Sequence, residues 1–148
     1  MRIHIATDHA AFELKNYLVE RLQEDGHEVV DHGAHEYDAQ DDYPPFVIEC
    51  AEAVVAEEGS LGVVLGGSGN GEQIAANKVK GARAALAHNT ELATLAREHN
   101  NANIVSLGGR MQPLEESYEI VKAFIATEWL GEERHQRRID LITAYENR

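Results

Sequence analysis

Five short apolar runs separated by helix-length stretches restrict this chain more than any other feature it has. The runs are Arg2–Thr7, His27–Asp31, Leu61–Leu65, Ala82–Ala87 and Ala102–Leu107, each of strand length. Between the first two, Phe12, Leu14, Tyr17, Leu18 and Leu22 recur at helical spacing and Gly26 supplies a stop. Residues 46–56, 73–78, 91–98, 113–126 and 132–145 read as further helices, while the polar stretch from Gly33 to Tyr43 reads as a loop closed by Pro44 and Pro45. Strands alternating with helices predict an α/β fold: a doubly wound, five-stranded parallel sheet with helices on both faces. No repeat, low-complexity segment or linker interrupts the chain, so residues 1–148 are expected to form a single domain. Ligands of such folds bind beyond the carboxyl ends of the strands. Asp8 and His9, the glycine-rich loop after Leu65, and Gly108–Arg110 should therefore lie along one edge.

Charge narrows the partners. A formal net charge of −13 argues against a nucleic-acid face and against docking on anionic membranes, because both need a basic surface. No segment approaches the length of a membrane span, and the opening MRIHIATDHA has no apolar run of the signal-peptide kind. Cys50 is the only cysteine, which fits a reducing, cytoplasmic setting without a disulfide. A small anionic ligand stays compatible with this composition if the few cations are gathered in one place.

The stretch GGSGNGEQIAANK, from Gly66 to Lys78, carries the first chemical signal. Its spacing fits neither GxGxxG nor a loop ending in GK[ST], so no dinucleotide or ATP cofactor is expected. Backbone N–H groups of Gly67, Gly69 and Gly71, with the Ser68 hydroxyl, can still surround negative charge at the start of a helix. Glu72 follows at once. It is either a first-turn carboxylate that stabilises the helix or a general base beside an oxyanion pocket, a pair suited to proton abstraction next to a carbonyl. In ERHQRRID, Arg134 and Arg138 are four apart and share a helix face, as phosphate-binding guanidinium groups would. Surface pairing with Glu132, Glu133 or Asp140 is the plainer alternative, and Arg137 lies about 60° off that face. Asp8-His9 after the first strand can move protons or bind hydroxyls, and His99-Asn100 is either a helix terminus or part of a site. His4, His27, His32 and His35 match no zinc spacing, so no metal is expected. A serine nucleophile lacks an assignable partner histidine.

TDHAAFELK, GGSGNGEQIAANKVKGARAAL, AREHNNANIVSLGGR and RHQRRID together resemble the type B ribose-5-phosphate isomerases, in the wider family that includes galactose-6-phosphate isomerase subunits. The resemblance runs from Ile3 to about Tyr145. It implies a Rossmann-like α/β/α sandwich and a metal-free aldose–ketose isomerase that works through a cis-enediolate. It also implies a homodimer with shared active sites, or a tetramer. Glu72 matches the base of the branch resembling actinobacterial enzymes; other members carry a cysteine base at the position that is Gly66 here. Ser68 and the amides from Gly67 to Gly71 would stabilise the enediolate, and His99 assisted by Asp8 would open the sugar ring. Asn100 would hold hydroxyls, Tyr43 would line the sugar pocket, and His9, Arg110, Arg134 and Arg138 would hold the phosphate. On this reading the residues and the family pattern converge on one edge of the sheet. A six-carbon substrate such as allose or galactose 6-phosphate, or a non-catalytic sugar-phosphate sensor, are the competing readings.

Overall fold

A computed structural model describes all residues, 1–148. Its strands are β1 (Arg2–Thr7), β2 (Glu28–Asp31), β3 (Leu61–Gly66), β4 (Ala84–Leu86) and β5 (Ile104–Gly108), and every pairing is parallel. The order across the sheet is β2-β1-β3-β5-β4. Helices α1 (Phe12–Glu24), α2 (Tyr43–Ala56), α3 (Asn70–Ala76) and α4 (Thr90–Asn100) make the crossovers, and α5 (Leu114–Ala126) and α6 (Glu133–Glu146) follow the last strand. No helix is long and apolar enough to cross a membrane.

The period-2 alternation of the strands divides the core in two. Ile3 and Ile5, Leu61, Val63 and Leu65, and Val105 and Leu107 face one layer with Leu14 and Leu18 of α1, Ala93 and Ala96 of α4, and Ile120 and Phe124 of α5. Ala6, Val64 and Ile104 face the other, against Val47, Cys50 and Ala51 of α2 and Ala76 of α3. The result is the expected α/β/α sandwich of Rossmann-like form. Cys50 is fully buried, and burial pushes its thiol pKa well up.

Of the element boundaries that depart from the sequence reading, three have a local reason. Helix α2 starts at Tyr43, so Pro44 and Pro45 lie inside its first turn, where a missing N–H is harmless. Helix α3 starts at Asn70 and so includes Glu72. Strand β4 is trimmed to Ala84–Leu86 because side chains occupy the neighbouring backbone donors: Asn103 Oδ1 accepts from Arg83 N at 2.7 Å and Asn77 Oδ1 accepts from Ala84 N at 2.8 Å.

The chain crosses from β1 to β2 on one side, then returns past β1 to β3. Their outgoing connections therefore part company between β1 and β3, which opens a crevice at the carboxyl ends of those strands.

Candidate active site

At that crevice the segments after β1, β3 and β5 line an open cavity of ≈ 600 Å³. Its walls include Asp8, His9, Tyr43, Gly67, Ser68, Gly71, Glu72, Arg110 and Met111. A larger cavity, ≈ 760 Å³, lies at the opposite edge between Met1, Arg83, Arg97 and Trp129. Its two arginines donate to the carbonyls of Asn101, Ala102 and Thr127, which satisfies chain ends after α4 and α5. We assign the chemistry to the smaller cavity, where acid, imidazole and guanidinium groups converge.

The glycine loop is held from both sides. Gly69 has φ +88°, and a Cβ there would sit 2.8 Å from Leu86 Cδ1, so both conformation and space require glycine. Ser106 Oγ, buried on β5, donates to Gly69 O at 2.7 Å. Gly109 N donates to Gly66 O at 2.7 Å and Arg110 N to Gly67 O at 3.2 Å, which ties the turn after β5 to the loop after β3. Ser68 is exposed; its Oγ accepts from Asn70 N at 3.3 Å, which leaves its own O–H to donate.

Glu72, in the first turn of α3, is 4% exposed. A Cβ built on Gly66 would collide with its carboxyl oxygens. Burial raises its pKa above the ordinary carboxylate value; its own backbone N–H partly offsets this and the Asp8 charge adds to it. A carboxylate in this state is a stronger base than one in water. Asp8 is buried, and its Oδ1 accepts from Ala10 N at 2.9 Å, capping a short 3-10 turn over His9–Ala11. The Tyr43 hydroxyl fills the space a side chain at Gly71 would need, and Arg110 Nη1 lies 3.1 Å from where a Cβ on Gly67 would be.

His9 is held by a residue that sequence reasoning missed. Asp41 Oδ1 accepts from both His9 N, at 3.0 Å, and His9 Nδ1, at 2.7 Å. Asp41 lies in the polar loop before α2, where acidic residues are ordinary, and nothing in its local spacing marks it. Asp8, His9 and Asp41 bring three potential ligand atoms within 4.8 Å of one another. Hydrogen bonds hold Asp8 Oδ1 on Ala10 N and Asp41 Oδ1 on His9, and we assign the cluster no metal.

Asp8, His9, the glycine loop and Arg110 share an edge as expected, with Tyr43 and Glu72 beside them. Four further residues expected at the site do not join them within one chain. Strands β4 and β5 are parallel, so α4 must run back from one edge of the sheet to the other. His99 and Asn100, in its last turn, therefore lie at the far edge. The His99 ring stacks on His135 of α6, with centroids 4.4 Å apart and planes 14° apart. Arg134 and Arg138 flank that histidine on α6. Arg134 Nε pairs with Glu132 at 3.1 Å, while Arg138 makes no ion pair.

A family model described as Ribose/Galactose Isomerase matches residues 3–142. The chain belongs to the ribose/galactose isomerase family. Among members of this family, ribose-5-phosphate isomerase B of Mycobacterium tuberculosis is 57% identical over 146 residues, which cover 99% of this chain and 90% of that relative. A relative in Mycoplasma pneumoniae, named as a probable ribose-5-phosphate isomerase B, is 40% identical over 144 residues, 97% of this chain and 94% of its own. Solved structures of the family agree in shape. Ribose-5-phosphate isomerase B from Mycoplasma genitalium, with bound ribulose-5-phosphate, matches with a TM-score of 0.95 at 42% identity over 99% of this chain and 96% of that one. The enzyme from Clostridium thermocellum matches with a TM-score of 0.95 at 41% identity over 99% and 98%.

Proposed function

We propose that this chain is an aldose–ketose isomerase that interconverts D-ribose 5-phosphate and D-ribulose 5-phosphate through a cis-enediolate. One observation carries the mechanism: a buried carboxylate of raised basicity, Glu72, lies against a loop of backbone donors in the cavity. Glu72 takes the proton from C2 of the aldose and returns it to C1. Ser68 and the amides of Gly67, Gly69 and Gly71 stabilise the oxygen on which charge develops. His9 and Arg110 hold the phosphate, and Tyr43 bounds the sugar. The names of the relatives and the ribulose-5-phosphate bound to the Mycoplasma genitalium enzyme support this substrate. The route needs no metal or cofactor.

His99, with Asp8, opens the sugar ring, Asn100 holds its hydroxyls, and Arg134 and Arg138 complete the phosphate site. Since these four side chains other than Asp8 lie at the far edge of their own sheet, a second copy supplies them. The working unit is a homodimer with shared sites, and a tetramer of two such dimers preserves the sharing. We place this metabolic enzyme in the cytoplasm as one domain over residues 1–148.

The test follows ribose 5-phosphate to ribulose 5-phosphate in D2O containing EDTA while monitoring solvent deuterium entering at C1 of the product. Turnover with exchange supports the isomerase. Binding without exchange would make the chain a sensor, and turnover only of allose 6-phosphate would move the assignment to a six-carbon sugar.

A further inference from the structure

We infer that Asp41 is a positioning residue for the reaction: its carboxylate fixes the orientation of the His9 imidazole and keeps Nδ1 protonated, so that the ring meets the substrate phosphate as a cation. The inference deepens the proposed function and rests on its reading of His9 as a phosphate ligand.

The geometry is specific. One carboxylate oxygen, Asp41 Oδ1, takes two donors from a residue 32 positions away, the His9 backbone N–H and the ring Nδ1. Bonding backbone and ring to the same atom restrains the side-chain torsions of His9. It also leaves Nε2 as the ring nitrogen free to donate to a phosphate oxygen, since Nδ1 is engaged. The pair is sheltered: the Asp41 side chain is 11% exposed and that of His9 26%. The second oxygen, Asp41 Oδ2, is buried with no hydrogen-bond partner, so His9 is the only group that compensates this carboxylate. A sheltered carboxylate with one compensating group favours the charged form of that group.

The surrounding groups have opposing effects. Asp8, next in the chain, adds negative charge, and Arg110 from the turn after β5 opposes protonation. Tyr37 meets the His9 ring edge-on with centroids 6.4 Å apart. Glu13 of α1 borders the adjoining cavity and Glu72 shares the site cavity. The Asp41 hydrogen bond is the largest influence, partial burial opposes it, and the net direction for His9 is upward from 6.5. In a protein of net charge −13, a phosphate dianion needs such a local cation at its docking point.

Asp41→Asn keeps the size and an acceptor oxygen but removes the charge. The measurements are the His9 titration by NMR, assigned with His9→Gln, and kcat and KM for ribose 5-phosphate from pH 6 to 9. The His9 midpoint should fall, because the Asp41 hydrogen bond is the largest influence raising it. At neutral pH and above, KM should rise about tenfold while kcat changes little, with the difference shrinking toward pH 6. Asp41→Glu should recover part of the lost affinity. An unchanged His9 midpoint in Asp41→Asn overturns the inference. So does a thermal destabilisation with equal loss of kcat at every pH, the mark of a mere loop tether. If His9→Gln leaves KM unaltered, it is the phosphate reading of His9 that falls, whatever the titration shows.

Discussion

The Glu72 carboxyl group fills the space beside Gly66 in which any side chain at that position would begin. The two positions are thus alternatives within one volume. Glycine at the end of β3 lets the first turn of α3 press its carboxylate onto the loop. A side chain there would push the carboxylate away from the place where the proposed reaction needs it.

Gly66→Ala should therefore lower kcat by roughly 10²-fold, as misplacement of a reacting group by about an ångström does, with a smaller change in KM. In a Glu72→Gln background the same substitution should lose little more. Kinetics of the two single variants and the double variant check this, and full additivity would show that Gly66 acts on something other than Glu72.

Glu72→Gln should reduce kcat by about 10²–10⁴-fold, the usual contribution of a positioned base. Because burial disfavours the charged carboxylate, the same variant should melt at a higher temperature than the native protein at pH 7. Calorimetry beside the isomerase assay reads both effects on one preparation.

The direction of the Glu72 shift sets two pH dependences. Its native pKa lies above 4.5, so the acid limb of kcat/KM should fall above that value as the base becomes protonated. Between 4.5 and the native pKa the folded chain holds a proton that the unfolded chain has lost, so this group makes stability decline as pH rises through that window. The stability advantage of Glu72→Gln should then disappear below pH 4.5. Melting curves across pH for both proteins test it; an advantage that persists in acid would assign the effect to packing.

Subunit mixing tests the shared site. Glu72→Gln and His99→Asn homodimers should each be nearly inactive. After subunit exchange, random pairing leaves one intact site in each heterodimer, so activity should return to about a quarter of the native sites. Absence of recovery after demonstrated exchange would place both residues in the same chain's site.

What the sequence disclosed follows from the range of the forces involved. The strands β1, β3 and β5 were legible because burial on both faces makes them nearly continuous apolar runs. Glu72 and the glycines were legible because turn conformation and helix start are local. Asp41 was not, since its bond to His9 joins residues far apart in the chain through a loop whose path has no periodic signal. The separation of His99 from Glu72 was implicit in the parallel topology, which obliges α4 to run back, but family pattern alone groups residues by role and is silent on which copy of the chain supplies them.

Cys50 lies fully buried in α2, its thiol held in the protonated state. The only thiol is therefore poorly placed to react, because thiolate and exposure are both required. With an oxygen acid at position 72, the proposed catalytic cycle contains no sulfur nucleophile. Iodoacetamide and peroxide would meet Met111, 63% exposed at the rim of the cavity, as the nearest sulfur. With a carboxylate filling the volume beside Gly66, the proposed site offers electrophiles and oxidants no thiolate to modify.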